Sequence, residues 1–506
     1  MDRYASNGIN DRELALRAFA WLLYCQQCPL KVHFLATAAS IIPDEQFFID
    51  QRVDDDDILE VCRSLIDVNR VTGVVELSHF SVKQFLQMPT VNGMPNWCHI
   101  DEARGNAILM RCCFMYLRSP VVVEPLVPET LSPDLQQLAT IFRDPFIFYA
   151  IFHWPIHARK VIHDEQCMDD VYAFMQNAEL TNSHDPLEES AFNVTRERHN
   201  SPKAFRFWCK FWESDILRNH PWWDYDDEDN LYEQDWLEGI ALDIRKDNMG
   251  CPLYYSALVG LPPVIQKLLD LNDELSNCFG GCFPYPLLAA VRQGHLSSVS
   301  TLLDRGADID ISDPQSKDTS LHVAIANDNL EMVKLFVQRD ASLSTCNATG
   351  DPPLHLAVRK LSHTWSNIGS DLVKVLAVQA NVKDQRGETA LHRAVSLKSE
   401  PVARLLLERN AKVDETNWQG RSPMHFYAET GDHHPIFELL SSKNANLDLE
   451  DRLGYTPLHL AVMKGKWDMT EAILGQTLAR PRDAGVRQVA EAVSDLTSRT
   501  PCLNSF

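Results

Sequence analysis

Several groups of side chains in this 506-residue chain have types and spacings that could do chemistry. Cys25 and Cys28 form a CxxC pair, the pattern that holds zinc or cycles between dithiol and disulfide. Cys278 and Cys282 form a second, looser pair. His153 and His157 stand four apart, as two metal ligands on one helix face would. Asp224–Asp229 reads D-Y-D-D-E-D, a run of carboxylates that could attract calcium. Each group lacks what its chemistry needs. Cys25–Cys28 closes a predicted helix outside any βαβ setting, and no partner pair lies at zinc-finger spacing. Zinc shared with Cys278–Cys282 would need a long-range contact. Pro155 separates the two histidines, and no H-E-x-x-H is present. A calcium loop needs glycine at its sixth position, where Asp229 stands. That run reads as a solvated loop or a site for a basic partner. There is no G-x-S-x-G, no glycine-rich dinucleotide fingerprint and no phosphate loop of the form G-x-x-x-x-G-K-[ST]. The expectation is no catalytic residue, no metal, no cofactor and no enzymatic activity.

The remaining chemistry-bearing residues recur. His322, His355, His392, His425 and His459 fall at one register of a repeated phrase. The phrase begins at Cys251, Tyr285, Thr319, Pro352, Thr389, Ser422 and Thr456, at intervals of 34, 34, 33, 37, 33 and 34 residues. A fixed period of this size marks a stacked repeat architecture, in which each unit buries its apolar face only against its neighbours. Thr389, Ser422 and Thr456 stand where a helix N-cap hydroxyl is wanted. Pro423 and Pro457 follow at the first helical position, where a missing N–H costs nothing. Leu391 and Leu458 point into the stack. Gly260, Gly294, Gly431 and Gly465 end the first helix of a repeat. Second helices such as Val402–Leu407 end at Gly306, Asn410 or Asn444, residues that tolerate a left-handed turn.

Residues 248–477 thereby resemble ankyrin repeats, about seven of them. In that family the histidine bonds the motif hydroxyl and a neighbouring loop, so the five here are expected to be structural. The resemblance also implies that partners touch the hairpin tips and the inner face of the first helices. Those positions are Gln385, Arg386 and Glu388, then Trp418, Gln419 and Arg421, then Arg452, Leu453 and Tyr455. Trp418 and Tyr455 are expected one repeat apart on the same edge. Aromatics beside arginines are the composition of an interface hot spot; an aromatic covering its own neighbouring hairpin is the alternative. The first two repeats lack the histidine, and Tyr285 replaces the capping Thr. The 37-residue interval holds extra residues around 361–371, including Trp365 and Gly369, and predicts a longer helix junction. After Gly475 the pattern fades. Residues 484–497 could form one amphipathic helix over the last repeat. Ser498–Leu503 reads S-R-T-P-C-L, either a coincidence or the opening of another repeat in a chain shorter than its relatives.

The N-terminal half must position none of this directly. Residues 12–26 read as an amphipathic helix, Leu30–Ala39 and Ile58–Ile66 as short helices, Arg70–Glu76 and Leu77–Phe80 as a hairpin around Gly73, and Ser81–Leu86 as a further helix. Three helices and a two-stranded wing make a winged helix. The phrase L-S-H-F-S-V-K-Q-F-L (Leu77–Leu86), with the A-F-A-W-L-L helix before it and Phe148–Ala158 after it, resembles the segment that follows the NACHT module in filamentous-fungal signalling ATPases with ankyrin repeats. That likeness covers about 10–160. The phosphate loop of those relatives is missing, so their nucleotide switch is not implied; a fragment of a longer NACHT-type ATPase remains an alternative.

Charge divides the chain. The net charge is -23, of which residues 1–247 carry -18 and residues 248–506 only -5. Residues 126–247 alone hold 24 acids against 11 bases. Such acidity argues against nonspecific nucleic-acid binding and against a polybasic membrane anchor. Asp54–Asp57 precede the helix expected to enter a groove; they suit a helix N-terminus but would repel phosphate. No run reaches the ~18 apolar residues of a membrane span. Asp2, Asp11, Glu13 and Arg17 break any secretory signal. The 13 cysteines are scattered with no short framework, and with no export signal expected, reduced thiols in the cytosol or nucleus are the expectation. Phe205, Trp208 and Trp212 recur at helical spacing and predict core packing against the first repeat.

The expected architecture is mainly α. A winged-helix-like region spans 1–125, an acidic, Trp-rich helical cap 126–247, the ankyrin solenoid 248–477, and a terminal cap or incomplete repeat 478–506. The expected function is a non-enzymatic adaptor or scaffold in signalling or regulation, cytoplasmic, nuclear or both. Its partners would be proteins rather than nucleic acid or membrane. A nuclear coregulator that binds a transcription factor is the alternative setting.

Overall fold

The computed structural model describes residues 11–25, 30–42, 52–62, 65–69, 71–91, 94–95, 99–123, 146–176, 202–212, 250–363, 367–430 and 434–479. The expectations for Cys28, Asp224–Asp229, Trp365, Gly431 and residues 484–503 fall outside these. The chain divides into two compact units, residues 1–289 with 297–307, and residues 290–296 with 308–506.

In the first unit, α1 (Asp11–Tyr24) packs on α2 (Val32–Ser40) and α3 (Asp55–Val61). Arg17 is drawn inside by a 2.6 Å bond from its Nε to the carbonyl of Ala39, near the end of α2. Trp21 is fully buried among Phe34, Phe146 and Tyr149, with edge-on rings 5.9, 5.3 and 5.0 Å away. A hairpin follows, β1 (Ile66–Val68) antiparallel to β2 (Val75–Leu77), pairing Ile66 with Leu77 and Val68 with Val75. It lies earlier than the sequence suggested. The Asn69 carboxamide accepts the N–H groups of Val71 and Thr72, so the turn closes at 69–73 and the second strand ends at Leu77. His79 then caps α4 (Phe80–Gln87) by accepting from the Ser81 N–H, which makes Phe80 helical rather than extended.

Next, α5 (Glu102–Leu117) packs along α6 (Phe146–Lys160), with α7 (Glu165–Gln176) and α8 (Pro202–Trp212) against them. The first repeat is the pair α9 (Pro252–Val259) and α10 (Pro262–Leu271). Phe205 and Trp208 of α8 lie 5.7 and 5.4 Å from the ring of buried Tyr255. Arg159 donates to the carbonyl of Val259 at 3.1 Å. The spacing of Phe205, Trp208 and Trp212 thus serves a core that closes over the first repeat. Cys251, which caps α9, is disulfide-bonded to Cys278. That pairing takes Cys278 out of any ligand pair with Cys282, which is exposed. Two further helices, α11 (Pro286–Gln293) and α12 (Leu296–Asp304), complete the second repeat.

Among its described residues the second unit holds five helix pairs. They are α13 (Ser320–Ala326) and α14 (Leu330–Gln338), α15 (Pro353–His363) and α16 (Asn367–Leu376), α17 (Ala390–Ser396) and α18 (Glu400–Glu408), α19 (Pro423–Thr430) and α20 (His434–Ser442), and α21 (Pro457–Met463) and α22 (Trp467–Ala479). First helices pack on first helices, α13 to α15 to α17 to α19 to α21, and second helices α14 to α20 pack in the same order. The apolar face of each is covered by its neighbour: Leu321, Leu354, Leu391 and Met424 are all almost completely buried. Asn410 and Asn444 close their second helices at φ +64° and +59°, in the left-handed region the sequence called for. The 37-residue interval is absorbed by α15, whose 11 residues exceed the seven of α13, α17 and α21.

Candidate functional site: the hairpin edge

Each hairpin between repeats is shaped by one side chain at a fixed register. Asn347, Asp384, Asn417 and Asp451 each accept, through Oδ1, the N–H groups two and four residues ahead. For Asp384 these bonds are 2.9 Å from Arg386 and 2.8 Å from Glu388. Such side chains replace a backbone turn and hold the tip in one shape. Successive tips are then tied to one another. The N–H groups of Ala348, Trp418 and Arg452 donate to the carbonyls of Ser316, Arg386 and Gln419 at 2.8, 3.2 and 2.9 Å. The edge is therefore a preorganised row rather than a set of independent loops.

The histidines brace it from behind. The N–H groups of Thr319, Thr389 and Ser422 donate to Nδ1 of His322, His392 and His425 at 3.2, 3.0 and 3.1 Å. With Nδ1 as acceptor, the ring proton sits on Nε2. From there it donates to the next hairpin: His322 to Asp351 O, His355 to Glu388 O, His392 to Arg421 O and His425 to Tyr455 O, at 2.9–3.1 Å. Burial keeps these rings neutral and pushes the His392 pKa down to about 4. His322, His355 and His425 shift the same way for the same reason.

On this frame the nine edge residues divide. Gln385, Arg386, Trp418, Gln419, Arg452 and Leu453 are exposed, with Trp418 at 54% and Leu453 at 74%. Arg421 is half-buried, its guanidinium held by Asp451 at 3.2 Å and Glu429 at 3.1 Å. Tyr455 is half-buried too, and its carbonyl serves His425. Glu388 points inward and is 8% exposed, so it is corrected from contact residue to hairpin support. Burial raises its carboxyl pKa. Trp418 does both things the sequence left open. Its Nε1 donates to Gln385 O at 3.1 Å, and its ring lies so close over Gly387 that a Cβ there would sit 2.7 Å from it. Gly387 has φ +77°, which also disfavours a side chain. Lys383 stands 5.6 Å from the same ring, a cation–π contact. More than half of the indole nevertheless faces solvent, beside Arg386 and Arg452. Neither of those guanidiniums forms an ion pair among the described residues.

The sequence reading missed the Asn/Asp register, which no motif phrase contains. It was legible as Asp or Asn five residues before each of Pro352, Thr389, Ser422 and Thr456. It also missed the ion-pair ladder behind the edge, in which Arg393 bridges Asp351 and Asp384 at 3.1 and 3.4 Å.

In the first unit His157 lies between Tyr149 Oη and Asn106 Oδ1, both at 2.7 Å. Burial lowers its pKa to about 3 and that of His153 to about 4. The pair is part of the core. Among the described residues no three His, Cys, Asp or Glu side chains are grouped to hold a metal ion.

Comparison with known proteins agrees with this geometry. The family model "Ankyrin repeats (3 copies)" matches residues 287–366 and 414–481, and "Ankyrin repeat" matches 386–418. This part of the chain is an ankyrin-repeat solenoid. Inversin of Mus musculus is 26% identical over 186 residues, 37% of this chain and 17% of that protein. The nuclear factor NF-kappa-B p105 subunit of Gallus gallus is 27% identical over 198 residues, 37% of this chain and 20% of its own length. Azaphilone pigments biosynthesis cluster protein L of Monascus ruber is 21% identical over 269 residues, 50% of this chain and 46% of that one. The chain thus spans less than half the length of each. The solved ankyrin-repeat domain of Bcl-3 aligns with 44% of this chain at a TM-score of 0.38 and 22% identity. Among the described residues no helix is long and apolar enough to cross a membrane.

Proposed function

We propose that this protein is a non-enzymatic adaptor whose repeat edge binds another protein. The observation that carries the reading is the exposed set Arg386, Trp418, Arg452 and Leu453 on a backbone-tied row of hairpins. An aromatic and an aliphatic anchor between two unpaired guanidiniums suit an acidic partner segment with an apolar residue of its own. No bond is made or broken; binding draws on a surface already in its bound shape. Affinity purification of wild type against the triple variant Arg386→Glu, Trp418→Ala, Leu453→Ala tests it. A partner lost with the triple variant and retained by a variant of exposed Lys398 supports the edge. Recovery of every partner by the triple variant would sink it.

The setting proposed is the cytoplasm or nucleus. The likeness to a nuclear factor favours a nuclear coregulator as the second reading; a signalling role of the NACHT–ankyrin type rests on the resemblance of residues 10–160 alone. A tagged protein excluded from nuclei under every condition removes the first. A transcript without an upstream phosphate-loop exon removes a NACHT ATPase origin.

A further inference from the structure

The hairpins of the second unit form one tied row of five tips. Besides the three links already given, the Gln385 N–H donates to the Gly350 carbonyl at 3.5 Å. The tips at 313–318, 347–351, 384–388, 417–421 and 451–455 therefore follow one another without a break. Exposed cations alternate along this row. Lys317 stands on the first tip, Arg386 on the third and Arg452 on the fifth, and none of the three forms an ion pair among the described residues. The second tip offers Ala348 and Thr349, small and uncharged, and the fourth offers Trp418 with Gln419. The acids of the same tips are turned to the frame. Asp313 accepts the N–H groups of Gln315 and Ser316, and Asp318 accepts from Asn347 Nδ2. Asp384 and Asp451 hold tip N–H groups together with Arg393 and Arg421.

We propose that the row reads an extended acidic peptide laid across the repeats, with one carboxylate each for Lys317, Arg386 and Arg452 and an apolar side chain on Trp418. This rests on the edge being the binding surface and adds the register of its ligand. Packed helices lie about 8–10 Å apart, so two repeats step about 18 Å. Extended chain advances about 3.3 Å per residue, so the acids recur every five or six residues. The two intervals differ. The first passes over Ala348 and Thr349; the second passes over the indole and carries the apolar residue, with Leu453 beside it. That asymmetry fixes which end of the pattern lies over Lys317. Side chains do the reading, because the N–H groups of Gln385 to Glu388, Trp418 to Arg421 and Arg452 to Tyr455 are already bonded within the row and can take no added strand. Exposed Glu450 precedes the last tip, so the Arg452 contact should count least. A nucleic-acid strand is the poorer ligand, since its charges follow one another every few Å and cations two repeats apart would meet few of them.

Panning a phage-displayed library of random 16-residue peptides on the immobilised full-length protein tests the register, with the best peptide then made synthetically and titrated by fluorescence anisotropy. Enriched sequences should carry Asp or Glu at intervals of five or six and an apolar residue in one interval. Arg386→Glu should weaken the peptide about 10-fold, Arg452→Glu less. A peptide with Lys in place of the middle acid should recover its affinity on Arg386→Glu, which also reports that the variant is folded. Enriched peptides that need Trp418 but show no acidic spacing overturn the register and leave the edge as the binding surface. Peptides indifferent to both Trp418→Ala and Arg386→Glu, or no enrichment over an uncoated surface, overturn the edge as well. Displacement of the peptide by a 20-residue oligo(dT) at equal or lower concentration would assign the row to nucleic acid instead.

Discussion

Replacing Pro352 by Thr should stabilise the second unit. At Thr319, Thr389 and Thr456 the cap residue offers its histidine both an N–H and a hydroxyl, the latter 2.8–2.9 Å from Nδ1. Pro352 offers neither. His355 is fully buried, and its Nδ1 is left without a partner. A buried polar atom in that state costs about 1–3 kcal/mol. The backbone at the three Thr positions has φ of -77°, -89° and -84° with ψ near 167°. That region accommodates proline and threonine alike, so the exchange needs no rearrangement. Against the gain stands the lost rigidity of the unfolded chain, about 0.4–1 kcal/mol for a proline. The balance is about 1 kcal/mol in favour of Thr. In urea, with a slope of about 2 kcal/mol/M, the second unit's transition should move up by about 0.5 M. Pro352→Val restores the N–H without the hydroxyl and should keep part of the gain. If Thr stabilises equally in a His355→Ala background, the unsatisfied Nδ1 is not the cause.

Acid should loosen the repeat array before its carboxylates titrate. His322, His355, His392 and His425 are neutral when folded, His392 lowered to about 4, and the unfolded chain binds their protons near pH 6.5. Their contribution is present above that pH and is lost as pH falls through it, for His392 roughly 1.4 kcal/mol at pH 5.5. A urea midpoint that is flat between pH 7 and 5 would contradict this. Asp384→Ala should cost about 2–3 kcal/mol, because it strands the N–H groups of Arg386 and Glu388 and frees Arg393; thermal melting reads it, and a loss under 0.5 kcal/mol refutes the turn's role. Gly387→Ala should cost about 1 kcal/mol of strain and displace the indole from its bond to Gln385. Trp418 fluorescence in a background lacking other exposed tryptophan would shift, and an unchanged spectrum would deny the close packing. Trp208→Ala should cost about 3–5 kcal/mol through the cavity it leaves over the first repeat; a normal melt of the first unit would place the cap elsewhere.

What sequence revealed was whatever recurs. Seven copies of one phrase fixed the helix pairs, the caps and the histidine register, because each copy must solve the same packing problem. Exposure at the edge was only half legible. Glu388 and Arg386 sit two apart in one hairpin, yet one faces in and the other out, a result of the Asp384 bonds that bend the tip. Arg421 reads as a contact residue by type, but Asp451 and Glu429, from two other segments, claim its guanidinium. Ahead of the repeats, where there are no internal copies to compare, the hairpin was misplaced because one Asn side chain decides where its turn closes. The partner of Cys251 was invisible for a similar reason: Cys278 lies 27 residues on, past both helices of the first repeat, at a position no repeated phrase marks.

The row of hairpins is tied together through peptide groups and through Asn and Asp side chains behind the tips. The side chains that face outward, Trp418 apart, take almost no part in that bonding. Recognition and folding are therefore written in separate alphabets along this edge. Gln385, Arg386, Gln419, Arg452 and Leu453 can be exchanged wholesale while Asp384, Asn417, Asp451 and the histidines stay fixed. Changing the partner of such a molecule is a matter of rewriting those few letters, with no new scaffold required.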